Sequence, residues 1–137
     1  MDFKNTIHEA LDIKTIELNA NLVVLSMPVG PKTRQPMGFL HGGASVVLAE
    51  SAASIGTYLN IDPKIQTAVG IEINANHLLS KKDGTIKAIA TPIHKDRTTM
   101  IWQIEILDED DRKICISRCT VGIFNKNKSN LSILSYN

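Results

Sequence analysis

Leu40-His41-Gly42-Gly43-Ala44-Ser45-Val46-Val47-Leu48-Ala49-Glu50-Ser51-Ala52-Ala53-Ser54-Ile55 is the stretch on which the reading of this chain turns. Its side chains are small or apolar almost throughout, so it reads as a helix apolar on nearly all sides and therefore buried inside a fold. Glu50 interrupts it. A carboxylate on a buried helix is costly unless something compensates for its lost hydration. Two readings follow. Glu50 is either a structural carboxylate, bonded to a neighbouring strand or a basic residue, or an acid held in a cleft for acid–base or nucleophilic work.

The residues upstream bear on the choice. In Gln35-Pro36-Met37-Gly38-Phe39-Leu40-His41-Gly42-Gly43, Pro36 and Gly38 mark a loop and His-Gly-Gly opens the helix. A helix N-terminus offers unpaired backbone N–H groups and a partial positive charge, which suit an oxyanion or a carbonyl oxygen. Glycines there let a ligand approach the backbone. Gln35 and His41 add side-chain donors. Taken alone, His-Gly-Gly is equally a turn with a capping histidine. Combined with a carboxylate further along, it supplies the parts for attack on an acyl group.

Helix geometry constrains how these parts meet. From Gly42 to Glu50 the rise is about 12 Å, and at about 100° per residue His41 and Glu50 fall on opposite faces. One helix cannot bring both to one carbonyl. A shared site then requires Glu50 from a second copy, in a dimer with antiparallel central helices and two equivalent sites. Ser54, four residues after Glu50, shares its face and is read either as packing or as a group orienting the carboxylate or a water.

With these residues in hand, the chain resembles the hotdog-fold acyl-CoA thioesterases, in the subgroup whose catalytic acid rides on the central helix. The resemblance lies in Gln35-Pro-x-Gly-x-Leu-His41-Gly-Gly, the spacing to Glu50, and Ser54. It extends to Val69-Gly70-Ile71-Glu72-Ile73-Asn74-Ala75-Asn76-His77-Leu78 and Pro92-Ile93-His94-Lys95-Asp96-Arg97-Thr98-Thr99, and spans about residues 5 to 124. The 1,4-dihydroxy-2-naphthoyl-CoA hydrolases, the proofreading thioesterases of siderophore synthesis and the phenylacetate-pathway thioesterases are similar. The resemblance implies Glu50 as nucleophile or general base, and Gln35 with the Gly42 amide polarising the thioester carbonyl. It implies that His41 positions that cluster and that Ser54 assists beside Glu50. The chain departs from the family at Asp96, where glycine is common in the turn before Arg97. An acidic side chain there repels a coenzyme A phosphate.

Composition bounds the rest. A chain of 137 residues is one domain with room for a single core. A net charge of +1 leaves no footprint for nucleic acid. No basic n-region with a long apolar run opens the sequence, and no apolar stretch is long enough to span a membrane, so the expected location is cytoplasmic. Cys115 and Cys119 fall in one strand-like run, where four residues span roughly 13 Å, beyond the roughly 7 Å limit for a disulfide. They read as buried free thiols. His8, His41, His77 and His94 show no metal-ligand spacing, so neither a metal nor a cofactor is expected, coenzyme A being part of the substrate.

Phe3, Ile7 and Leu11 predict a short amphipathic N-terminal helix. Strand-like runs cover about 13–27, 67–79, 84–94, 97–108 and 112–124. Asp108-Glu109-Asp110-Asp111 reads as a polar hairpin turn, and Pro92 implies a bulge or edge position. The expected architecture is α+β, an antiparallel sheet wrapped around one long central helix, the hotdog fold. Residues 1–124 form the domain and 125–137 a polar tail, with Leu131, Ile133 and Leu134 as its apolar positions.

Lys81, Lys82, Lys95 and Arg97 are candidate partners for coenzyme A phosphates, against the reading of a solvated charged surface. Lys95 and Arg97 lie in the segment that carries the resemblance, and Arg97 is the foremost candidate. His77 ends an alternating strand and reads either as a satisfied core histidine or as a substrate contact. Trp102 reads as core. The expected function is hydrolysis of a small aryl- or medium-chain acyl-CoA, or of an acyl carrier protein thioester, by a homodimer that assembles to a homotetramer. The alternative is a hotdog domain that binds acyl-CoA without turnover. A dehydratase ranks third, because dehydratases of this fold place their His and acid in a different local sequence.

Overall fold

Met100, Trp102, Ile104 and Ile106 are fully buried and alternate with residues that are not. That period of two makes Thr99–Leu107 a strand with one face on the core. The computed structural model describes residues 1–126. It contains α1 (Ile7–Ala10), β1 (Lys14–Asn19), β2 (Leu22–Pro28), α2 (Gly42–Tyr58), β3 (Gln66–His77), β4 (Thr85–Lys95), β5 (Thr99–Leu107) and β6 (Lys113–Asn125). All six strands join one antiparallel sheet in the order β1-β2-β4-β5-β6-β3. It curves around α2, which touches β2 through β6. The α+β hotdog architecture expected from the sequence is the one observed.

The first strand and the N-terminal helix depart from expectation. The run at 13–27 is two strands, β1 and β2, folded into a hairpin at Ala20-Asn21. No Gly or Pro announces this turn. The Asn19 side chain makes it by accepting the Asn21 amide at 2.9 Å. The N-terminal helix is a single turn bounded by Asn5 and Asp12 in left-handed conformations (φ 61° and 56°). Phe3 and Leu11 pack against the core as the spacing predicts, but Ile7 stays exposed.

Other readings match. Pro92 lies at a bulge, where the β4–β5 register shifts between Pro92 and His94. Asp108 is buried in the β5–β6 turn and accepts the Asp110 and Arg112 amides, each at 2.9 Å. Cys115 and Cys119 are buried free thiols. Trp102 is core, and its ring lies where a Cβ on Gly56 of α2 would stand, 2.4 Å from the nearest ring carbon. Of the expected tail at 125–137, Asn125 instead ends β6 and the Lys126 amide donates to Ile65 O at 2.8 Å, while residues 127–137, with Leu131, Ile133 and Leu134, lie outside the described residues.

The helix is not buried on nearly all sides in this single chain. Leu48, Ala49, Ala52, Ala53, Ile55 and Gly56 are buried against the sheet, whereas Val46, Val47, Glu50, Ser51 and Ser54 are half-buried. Glu50 therefore stands at a cleft rather than in the core.

Candidate active site

The segment before α2 is a clasp closed by backbone hydrogen bonds. The Gln35 amide donates to Phe39 O at 2.8 Å and the Gly38 amide to Gln35 O at 2.9 Å, with Gly38 at φ 93°. The clasp is pinned to its surroundings by the Leu40 amide, which donates to Lys81 O, and the His41 amide, which donates to Thr33 O, each at 2.7 Å. This holds Gln35 in front of the helix start. The Met37 amide donates to Gln35 Oε1. Because that partner is a donor, the oxygen must face it, and the Gln35 NH2 group is the donor left for a ligand.

His41 is the capping histidine. Its Nδ1 accepts the Gly43 amide at 2.8 Å, and its carbonyl accepts the Ala44 amide at 3.0 Å. With Nδ1 an acceptor, a neutral His41 carries its proton on Nε2. Among the described residues nothing accepts from the Gly42 amide. Gln35, Gly42 and His77 line a cleft of about 350 Å³ together with Lys81. His77 is exposed, not a satisfied core histidine. Its ring covers the helix start so closely that a Cβ on Gly42 would lie 2.7 Å from His77 Nε2.

Glu50 and Ser54 line a different cleft, of about 460 Å³, between α2 and β3. Val47 and Tyr58 share the helix side, Ala68 comes from β3, and His8 comes from the N-terminal segment. The Glu50 carboxylate rests on β3 at Gly70. Beneath it, the Cys119 thiol is pushed up to about 12, first by its burial and then by the Glu50 and Glu72 carboxylates, so it stays protonated. The two clefts share no lining residue. The structure thus brings Gln35, Gly42 and His77 together and Glu50 and Ser54 together, but keeps the groups apart, as the helix geometry predicts.

The basic candidates divide. Lys81 borders the Gln35 cleft, where Glu109 holds it at 2.5 Å and, chiefly through that hydrogen bond, raises its pKa. Lys95 donates to Asn60 Oδ1 at 2.6 Å, and exposed Arg97 sits in the β4–β5 turn. Neither borders either cleft of the single chain. Asp96 has a structural task. Its Oδ1 accepts the Thr98 and Thr99 amides at 2.9 and 2.8 Å, and its Oδ2 meets His94 Nε2 at 2.9 Å.

Sequence reasoning did not foresee His8 or Gly70 beside Glu50. For His8 no signal exists, because its placement depends on where a one-turn helix docks. For Gly70 there was one: a glycine inside a strand marks close approach of another group.

An antiparallel sheet around a central helix, with helix-start donors on one side and a carboxylate two turns along, defines a thioesterase of the hotdog class. Comparison with known proteins agrees, since the thioesterase superfamily matches residues 37–115. A Bacillus subtilis protein, ComA2, whose name gives it only provisionally as an esterase, is 56% identical over 92% of this chain and 100% of its own length. The 1,4-dihydroxy-2-naphthoyl-CoA hydrolase of Listeria monocytogenes is 44% identical, over 89% of this chain and 98% of its own. A solved structure of a Gln→Ala mutant of a Staphylococcus aureus thioesterase superposes with a TM-score of 0.84 at 40% identity, covering 85% of this chain and 97% of the other. A second structure of that protein, a Glu→Ala mutant, has a TM-score of 0.85. The chain belongs to the thioesterase superfamily and is a thioester hydrolase of the acyl-CoA thioesterase kind.

Proposed function

We propose that the chain hydrolyses a small aryl- or medium-chain acyl-CoA at a site assembled from two copies, with Glu50 as nucleophile or general base. The observation that carries this reading is the separation of the two clefts along one helix. Gln35 and the Gly42 amide of one copy face the thioester oxygen, and Glu50 and Ser54 of the other face the carbonyl carbon. As general base, Glu50 takes a proton from water while the oxygen adds to the carbonyl. As nucleophile, it forms a mixed anhydride that water then opens. In both routes the oxyanion is held by the Gln35 NH2 and the Gly42 N–H, and the C–S bond breaks as the oxyanion collapses; the coenzyme A thiolate takes its proton from the Glu50 carboxyl in the general-base route and from water in the nucleophilic one. Ser54 orients the carboxylate or the water, and His41 fixes the helix start through its cap.

Several features support this assignment. The Listeria relative is named for an aryl-CoA substrate. The two Staphylococcus aureus mutants alter a glutamine and a glutamate fifteen residues apart, the separation of Gln35 and Glu50. Half-buried Val46, Val47 and Ser51 on the open side of α2 suit coverage by a second copy, in a dimer that doubles to a tetramer. His77, Lys95 and Arg97 are assigned to coenzyme A, with Lys95 and Arg97 reaching it across the assembled interface. The chemistry calls for no metal or other cofactor. No helix among the described residues is long and apolar enough to cross a membrane, and we place the enzyme in the cytoplasm.

The test is steady-state hydrolysis of a panel of aryl- and fatty-acyl-CoAs, with the matching acyl carrier protein thioesters alongside. Turnover of aryl or medium-chain CoA esters is expected. Binding of a thioether analogue without turnover of any member would replace the hydrolase with a binding domain.

A further inference from the structure

Strand β3 meets the central helix at a residue with no side chain. A Cβ on Gly70 would lie 2.6 Å from Glu50 Oε2 and 3.4 Å from its Cδ, so the carboxylate occupies the space that any other residue would fill. Gly70 does not adopt the left-handed conformation that favours glycine elsewhere, at Gly38 and Gly84. Close approach, not backbone freedom, accounts for it.

The next residue changes the strand's face. Gly70 pairs with Val121 and Glu72 with Thr120, which leaves Ile71 as the extra residue of a bulge. Before the bulge Ala68 packs on the core and Gly70 meets Glu50; after it, Ile73 and Ala75 pack on the core. Unbroken alternation would turn Glu72 to the helix face beside Glu50. The bulge turns it to the opposite face, where Glu72 Oε1 accepts from Asn74 Nδ2 at 3.1 Å.

We infer that Gly70 and the Ile71 bulge form a seat that sets where the Glu50 carboxylate lies and keeps a second carboxylate, Glu72, out of the cleft. Gly70 is a positioning residue acting through Glu50. The inference rests on the reading of Glu50 as the reacting acid. A side chain at Gly70 pushes the carboxylate off line with the thioester carbon, and a misplacement of about 1 Å is enough to cost roughly a hundredfold in rate.

Four variants test it. Gly70→Ala should lose about a hundredfold in kcat, with KM within about twofold of wild type and thermal stability retained. Glu50→Asp withdraws the carboxylate by one methylene and restores room. Gly70→Ala/Glu50→Asp should therefore be no slower than Glu50→Asp alone. Wild-type kcat in Gly70→Ala, or losses that multiply in the double variant, overturns the seat while leaving Glu50 in place. Wild-type turnover in Glu50→Gln overturns the role of Glu50 and the seat with it. Should Gly70→Ala not fold, folding of the double variant supports the seat, and failure of both makes Gly70 structural and ends the inference.

Discussion

The Trp102 indole N–H donates to the Thr57 hydroxyl at 2.9 Å, and that hydroxyl donates in turn to Ala53 O at 2.9 Å. Both side chains are fully buried. This relay is the polar tie between the inner strand β5 and the last turns of α2. It fixes the helix against the sheet a short way beyond Glu50 and Ser54.

Thr57→Val keeps the shape but leaves the indole N–H buried without an acceptor, at a cost of about 1–3 kcal/mol. The thermal midpoint should fall by several degrees, and Thr57→Ser, which keeps the hydroxyl, should fall less. Differential scanning calorimetry of the two variants checks this. Equal losses would show that the methyl group's packing matters and the hydrogen bond does not.

Glu50→Gln keeps the size of the side chain and removes its charge. It should lower kcat by on the order of 10² or more, while affinity for a non-hydrolysable thioether analogue stays near wild type. Near wild-type turnover would take the reaction away from Glu50.

Because the clefts of Glu50 and Gln35 are separate within one chain, two different inactive subunits should complement each other. Gln35→Ala removes one of the two proposed oxyanion donors, a loss worth about 2.7–4 kcal/mol in comparable sites. When Glu50→Ala and Gln35→Ala subunits exchange, one site of the mixed dimer collects both lesions and the other neither. Activity should return to at most half of wild type per heterodimer. Verified exchange without recovery, or an active monomer, excludes the shared site.

The Asp96 carboxyl is held down to about 2, first by its hydrogen bond with His94 and then by the backbone amides of its turn. Its folded pKa lies below the ordinary value of about 3.9. The stabilisation it gives the β4–β5 turn is therefore complete above that value and disappears as pH falls through about 2. The carboxyl carbon resonance should titrate with a midpoint near 2, and His94→Ala should raise that midpoint. A midpoint at the ordinary carboxylate value in the wild type would show that the turn does not hold the charge.

Much of this fold was legible because its signals are local. The Ile-, Val- and Thr-rich runs at about 97–108 and 112–124 identify strands, and the apolar run after His41 identifies the helix. Glu50 stands out because a charge in such a run needs a reason. The β1–β2 hairpin was hidden because Asn19 builds its turn with a side chain, without glycine or proline. The bulge at Ile71 was hidden because its cause is a register against β6, which local pattern does not record. Asp96 looked like a repulsive departure from a family motif. Its role as the acceptor that closes a turn depends on where His94, Thr98 and Thr99 point.

Strand β3 follows α2 directly in sequence, yet its ladder partner is β6, whose residues Cys115 to Asn125 come at the end of the described chain. Pairings between such distant segments close large loops and form slowly. The β1–β2 hairpin and the helix can form while the chain is still being made, but the wall against which Glu50 rests cannot be completed until β6 arrives. With Glu50 as the proposed acid, thioester cleavage is thereby withheld from every chain in which β6 has not yet paired with β3.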